Sequence, residues 1–150
     1  MNKIISALFA IAILTLALPA MAQSPQAVTL LNGGTNNCAA LATNDYTGQT
    51  LLIDATWRAN VGISISYVGN STTNNNGVVF VFDQSLDAST WSSTNKLRYR
   101  LDGNGTSTVS LVTNQPLGAV GWLRLNSIEN SSSNAFTNIT IKANLKPEFR

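Results

Sequence analysis

The stretch 61-VGISISYV-68 decides the fold class, because apolar and small residues alternate along it from Val61 to Tyr67. Its odd-numbered positions hold Val, Ile, Ile and Tyr, and the even-numbered positions between them hold Gly, Ser and Ser. A period of two is typical of a strand with one buried face and one outer face. The stretch therefore predicts a β-strand that covers a hydrophobic core.

Similar apolar runs recur along the chain, and turn-forming residues separate them. The runs cover residues 28–31, 51–57, 78–82, 97–101, 108–112, 120–128 and 136–145. The run 78–82 is nearly continuous in apolar residues, which indicates a strand buried on both faces. The breaks are rich in Asn and Gly, which adopt the backbone conformations of tight turns at low cost.

This punctuation predicts an all-β domain, a single antiparallel β-sandwich of jelly-roll-like type with about eight strands. A closed barrel is the alternative. Residues 35–49 are the least regular and are expected to form a long loop. Residues 102–105, Asp-Gly-Asn-Gly, are expected to close a hairpin between the strands on either side, because the run lacks the acidic density of a calcium loop.

The N-terminus predicts export. One lysine precedes an apolar stretch at residues 4–18, and Pro19 and the small-residue step Ala20-Met21-Ala22 follow it. This is the plan of a secretory signal peptide over residues 1–22, which leaves residues 23–150 as the β-sandwich domain. A retained membrane anchor is the alternative. We expect a secreted, periplasmic or cell-surface protein with no membrane contact after cleavage.

Composition excludes several functions. Cleavage of the signal peptide removes Lys3, which leaves eight of the nine Lys and Arg residues and seven Asp and Glu residues. The net charge is then close to zero, whereas a nucleic-acid partner requires a basic surface. The chain has no histidine, which removes the commonest general base and metal ligand. No catalytic residue, metal or cofactor is predicted. Cys38 is the only cysteine, so it forms no intrachain disulfide; we expect it to be buried, with an intermolecular bond as the alternative.

The stretch 79-VFVFDQSLDASTW-91, called the corner below, is the main candidate site. Asp83 and Asp87 offer the two carboxylates that a glycosidase needs. Asp87 also begins a typical turn, in which its side chain accepts backbone N–H groups. We favour the turn, and we expect the protein not to be an enzyme.

The aromatic residues offer a second interpretation, since exposed rings on a sandwich can stack on sugars. The six Trp and Tyr residues of the domain are Trp57, Trp91, Trp122, Tyr46, Tyr67 and Tyr99. We expect packing to use most of them, with Trp57 and Trp122 buried and Trp91 the most exposed. The candidate residues for ligand stacking or for holding a hairpin are therefore Trp91, Asp87, Asp83 and Tyr99.

The corner resembles a hairpin of small β-sandwich proteins from phage structural modules and related bacterial surface proteins. Their pattern is an apolar strand followed by Ser-x-Asp-Gly-x-x-Trp, and residues 85–91 read Ser-Leu-Asp-Ala-Ser-Thr-Trp. Residues 121–126 and 138–142 resemble two later strands of the same proteins. The resemblance implies that Asp87 and Trp91 hold the hairpin and catalyse nothing. Ala88 stands where the pattern has Gly, which leaves the turn type open.

These observations predict a secreted, non-enzymatic β-sandwich with a structural or assembly role. It would act at the cell surface or in an extracellular or virion-like assembly. Its expected partners are other protein subunits, copies of the same chain among them. The alternative is a carbohydrate-binding module that binds polysaccharide through exposed aromatic rings, and a small hydrolase is the third candidate.

Overall fold

The computed structural model describes residues 26–47, 52–54, 60–69, 71–74, 77–102, 104–105, 108–116 and 120–146. These residues form eleven strands and no helix, and every strand pair is antiparallel. The strands are β1 (Gln26–Asn32), β2 (Thr43–Asp45), β3 (Leu52–Asp54), β4 (Asn60–Val68), β5 (Ser71–Asn74), β6 (Val78–Ser85), β7 (Leu97–Leu101), β8 (Asn104–Gly105), β9 (Thr108–Pro116), β10 (Trp122–Asn130) and β11 (Thr137–Lys146).

The strands form two packed sheets and one short ribbon. The first sheet has the order β1-β11-β4-β9. The second has the order β2-β10-β6-β7, and β3 also pairs with β10. The ribbon pairs β5 with β8. The all-β sandwich predicted from the sequence is confirmed.

The strand order is that of a jelly roll. When β2 and β3 are counted as one interrupted strand and the ribbon is set aside, eight strands remain. In that count the first strand pairs with the eighth, the second with the seventh, the third with the sixth and the fourth with the fifth. Such nested pairs arise when one long antiparallel hairpin is rolled into two sheets.

The alternating strand β4 lies at the centre of the first sheet and supplies the core. Val61, Ile63, Ile65 and Tyr67 are fully buried, as the sequence pattern predicts. Burial of side chains of this size stabilises the fold by about 1.5–3 kcal/mol each. The hydroxyl group of Tyr67 donates a hydrogen bond of 3.0 Å to the carbonyl oxygen of Leu101, which satisfies the only polar atom of this buried side chain.

Strand β6 is buried on both faces, as the sequence predicts. Val78, Phe80 and Phe82 are fully buried in the core. Val81 has no exposed surface either, and Asp83 is only 2% exposed. An acidic residue therefore occupies a buried position in a strand that is otherwise apolar up to that point, and this position organises the candidate site.

Two local predictions are wrong. The described part of the segment 35–49, residues 35–47, is more regular than a loop, because β2 pairs with residues 127–129 of β10 and Cys38 forms a bridge with Phe136. Backbone pairing holds β2, whose side chains are exposed or half-buried, so no apolar pattern marks it. Residues 102–105 do not close a hairpin, because β7 and β9 belong to different sheets and β8 pairs with β5.

Cys38 is fully buried, as predicted. Burial raises the pKa of its thiol. The predicted signal peptide at residues 1–22 and Trp57 lie outside the described residues. Within the described ranges, no helix is long and apolar enough to cross a membrane.

Candidate functional site

The corner is built where β6 ends beside the start of β10. The pairing of these strands places Asp83 opposite Arg124, and the Arg124 guanidinium donates a hydrogen bond of 2.7 Å to Asp83 Oδ2. Asn126 donates a second bond of 2.9 Å to the same oxygen. The register of the two strands shifts between Leu125 and Ser127, so Asn126 lies in a bulge. Bulges commonly re-aim a side chain in this way.

A second cation reaches the same carboxylate from the start of β7. Lys96 Nζ lies 3.2 Å from Asp83 Oδ1. This contact is an ion pair, and the lysine stabilises the charge of the carboxylate. Two cations and an amide thus surround one buried carboxylate, an arrangement called the Asp83 cluster below.

The Asp83 cluster keeps its carboxylate ionised. Burial alone would raise the pKa of Asp83, but the hydrogen bonds from Arg124 and Asn126 and the charge of Lys96 outweigh it. The pKa of the carboxyl therefore lies below its usual value. A buried charge in this setting is stabilised by its partners, and it becomes costly if one is removed.

Trp91 covers the Asp83 cluster from the loop that joins β6 to β7. The guanidinium carbon of Arg124 lies 4.3 Å from the centroid of the Trp91 ring, within the range of a cation–π contact. Arg124 therefore bridges Trp91 and Asp83. Trp91 is half-buried, and so is Trp122, which was expected to be buried. Trp122 is less buried because it is the first residue of β10, where the core ends.

Asp87 belongs to a separate network at the surface. Its Oδ1 accepts hydrogen bonds from the backbone N–H groups of Ser89 (2.9 Å) and Thr90 (2.8 Å), and from the Ser85 hydroxyl (3.0 Å). The backbone bonds to Thr90 and Ser89 are the main reason that the pKa of Asp87 lies far below its usual value. The carboxylate shapes the turn, as the favoured interpretation expects.

Ala88, which stands at the Gly position of the hairpin pattern, has a left-handed backbone conformation. Its φ angle is +60°, in the left-handed region that favours glycine. The turn thus has the geometry that Gly would allow, although the side chain is a methyl group. The sequence alone did not determine the type of this turn, because Ala88 stands at the Gly position.

Tyr99 lies apart from the other three candidates. It is half-buried on β7, its ring packs against Phe82 with centroids 5.9 Å apart, and its hydroxyl donates a hydrogen bond of 3.0 Å to Gln115 Oε1. Burial raises the pKa of this hydroxyl. Tyr99 therefore ties β7 of the second sheet to β9 of the first.

A pocket of about 330 Å³ adjoins Trp91. Its lining consists of Gln84, Ser85, Leu86, Thr90, Trp91, Ser92, Asn95 and Val120. Part of its polar lining is already bonded within the chain, because Gln84 Nε2 and the Ser92 hydroxyl both donate to the Asn95 carbonyl, at 3.0 and 3.2 Å. Leu86 is 74% exposed at its edge.

The two corner acids lie in separate networks of hydrogen-bond partners. A glycosidase needs one carboxyl group with a raised pKa to act as the acid. The pKa values of Asp83 and Asp87 are both lowered, each by its own set of partners. Among the described residues, no three acids or thiols come together as metal ligands.

Sequence reasoning missed Lys96, Arg124 and Asn126 as members of the corner. One signal was present: a lone Asp that continues an apolar strand must find a partner if it is buried. The partner stands 41 positions further along the chain. Only the register of β6 against β10 identifies it.

Comparison with known proteins adds no relative. No protein-family model matches the chain, and no curated protein matches it significantly. The geometry of the corner and of the sheets therefore carries the functional proposal.

Proposed function

We propose that this protein is a secreted, non-enzymatic jelly roll with a structural or assembly role at the cell surface or in an extracellular or virion-like assembly. The observation that carries the proposal is that each candidate residue is engaged within its own chain. Asp83 binds Arg124, Asp87 binds its own turn, and Trp91 stacks on Arg124. Such groups have little capacity left for a substrate.

The hairpin geometry supports the proposal independently. The resemblance to phage structural modules and bacterial surface proteins assigns the Asp and Trp of the pattern to holding the hairpin. Asp87 caps the turn and Ala88 takes the left-handed conformation at the Gly position. Both features agree with an architectural corner.

Polysaccharide binding is the second candidate, and the pocket beside Trp91 is the observation that favours it. Its mixture of one indole with amides and hydroxyls suits a sugar. Against it, the Trp, Tyr and Phe side chains that the structure describes are all buried or half-buried. A stacking platform needs a ring face open to solvent, and Trp91 already gives contact area to Arg124.

A binding panel separates the two candidates. The exported chain would be incubated with insoluble polysaccharides, and the retained fraction would be measured for wild type, Trp91→Ala and the control Trp122→Ala. We expect no retention of any of the three. Retention of wild type and of Trp122→Ala, with loss in a folded Trp91→Ala protein, would replace the assembly role with carbohydrate binding.

A further inference from the structure

The two sheets have four edges, and three of them are protected against pairing with another chain. Strand β1 has an irregular register between Thr29 and Leu31. Strands β2 and β3 are only three residues long. Strand β7 carries Arg98 and Arg100, both exposed. Bulges, short strands and charges are the usual devices that keep a sheet edge from adding a strand.

The fourth edge, β9, has none of these devices. It is nine residues long, and its register with β4 runs from Thr108 to Pro116 without a bulge. It contains no charged residue, and its single proline is the last residue. In the described part of the chain, β9 pairs with β4 alone, so no described residue pairs with the backbone groups on its other side.

An exposed valine lies at the centre of this edge. Val112 is the fifth of the nine residues, and its side chain is 78% exposed, compared with 74% for Leu41 and for Leu86. Leu41 and Leu86 lie in loops, whereas Val112 lies on a strand edge. A large apolar side chain exposed at such a position indicates a surface that is stabilised when a partner buries it.

Strand β9 is complementary to itself. In an antiparallel pair of two β9 strands centred on Val112, Ser110 faces Asn114, Thr108 faces Pro116, and no charged residue faces another. Hydroxyl–amide and Val–Val pairs are favourable or neutral across strands, whereas like charges are destabilising. The chain thus offers an isologous two-fold contact.

We propose that β9 pairs antiparallel with β9 of a second copy of this chain, with Val112 opposite Val112. The two first sheets then join into one continuous sheet of eight strands, since each contributes four. The inference rests on the proposed assembly role and specifies the surface that performs it.

Charge distribution favours this partner. Strands β9 and β4 contain no charged residue, and the lysines of the first sheet, Lys142 and Lys146, lie on β11. The second sheet and its loops carry the described acids and the other described cations. Two copies joined through β9 therefore bring together surfaces with almost no charge. One strand against one strand is a small contact beside the roughly 1,200–2,000 Å² of stable complexes, so we expect micromolar association.

Cysteine cross-linking tests the register. In the exported chain, Val112→Cys places two thiols across the two-fold axis, where the facing Cβ atoms of paired strands lie about 4.5–5.5 Å apart, close enough for a disulfide after a small adjustment. Ser110→Cys is the matched control, because it is also exposed on β9 but its two copies would lie roughly 13 Å apart along the strands. Wild type, in which the only cysteine is the buried Cys38, gives the background rate of cross-linking.

We expect Val112→Cys to form a disulfide-linked dimer at least tenfold faster than Ser110→Cys under mild oxidation. A mixture of Ser110→Cys with Asn114→Cys should form the mixed dimer at a rate similar to Val112→Cys. Equal rates for Val112→Cys and Ser110→Cys would overturn the register and the pairing.

Sedimentation velocity tests the contact without a cross-link. Val112→Lys sets like charges opposite each other, and we expect it to weaken dimerisation at least tenfold while the melting temperature stays unchanged. Leu86→Lys is the control, since Leu86 is similarly exposed but lies away from β9; it should dimerise like wild type. A wild-type protein that stays monomeric well above micromolar concentration would refute the inference.

The outcomes separate the inference from the proposed function. Association that persists unchanged in Val112→Lys would refute β9 pairing and leave an assembly role through another surface. Retention on polysaccharide that is lost in a folded Trp91→Ala protein would refute the assembly role, whatever the state of β9.

Discussion

Replacing Arg124 by methionine perturbs the corner most directly. Methionine keeps an unbranched apolar side chain, but it is two atoms shorter than arginine and carries no charge, so Asp83 keeps only Lys96 and Asn126. The Asp83 side chain is 2% exposed and that of Arg124 is 16% exposed, so the pair belongs with buried ion pairs. Removal of one partner from such a pair costs about 3–5 kcal/mol.

The partners that remain reduce this cost. Lys96 still neutralises the carboxylate, and the lost cation–π contact with Trp91 adds only about 0.5–1 kcal/mol. We therefore expect Arg124→Met to lower the free energy of unfolding by about 2–4 kcal/mol at neutral pH, measured by urea denaturation. The melting temperature should fall by roughly 10 °C in a domain of this size.

Arg98 provides the matched control. It also pairs with an acid on the neighbouring region of the same sheet, Glu129, but the two side chains are 53% and 35% exposed. Exposed pairs contribute about 0–1 kcal/mol, so Arg98→Met should change stability little. If Arg124→Met costs no more than Arg98→Met, the Asp83 cluster does not hold the corner.

The pH dependence gives a second test of the same variant. In wild type the lowered pKa of Asp83 means that its ionised form stabilises the fold above the unfolded pKa, and this contribution is lost as pH falls through the folded pKa. In Arg124→Met the main hydrogen bond that opposes burial is gone, so the pKa should rise. The stability difference from wild type should therefore shrink as the solution is acidified; a difference that grows would contradict the assignment.

Three further predictions concern the corner loop and the core. Ala88→Gly should raise stability by about 0.5–1 kcal/mol, because relief of the left-handed strain outweighs the added chain entropy; a loss of stability would contradict the role of the +60° angle. Asp87→Ala should lower the melting temperature by removing the acceptor of the turn, and this deficit should vanish when wild type is acidified enough to protonate Asp87; an unchanged melting temperature near neutral pH would exclude the cap. Cys38 should react with a thiol reagent only after addition of denaturant, so rapid labelling of the native chain would show that it is accessible.

The fold was predictable because its signals are local. The alternation in residues 61–68 and the continuous run 78–82 each report burial within a few residues, and both correspond to β4 and β6. The Asp87 turn was predictable for the same reason, since its acceptor and donors lie within three positions. Strand β2 was not predictable, because backbone pairing with β10 holds it and no apolar pattern in its own sequence marks it.

The Asp83 cluster was not predictable from one sequence. Its strongest contact joins residues 41 positions apart, and the bulge at Asn126 depends on the register of two strands. The same limit explains Trp91, whose partial burial comes from a side chain on a distant strand. The sequence shows which residues are charged or aromatic. Only the fold shows which residue each of them contacts.

The free energy of unfolding of Trp91→Ala tests most directly whether the corner is architecture or a binding platform. Truncation of a buried aromatic residue costs about 3–5 kcal/mol, so a half-buried ring that also stacks on Arg124 should cost about 2 kcal/mol. An architectural corner therefore predicts a loss of about that size in urea denaturation. A Trp91→Ala protein as stable as wild type, within about 0.5 kcal/mol, would contradict it and indicate a ring kept for a ligand.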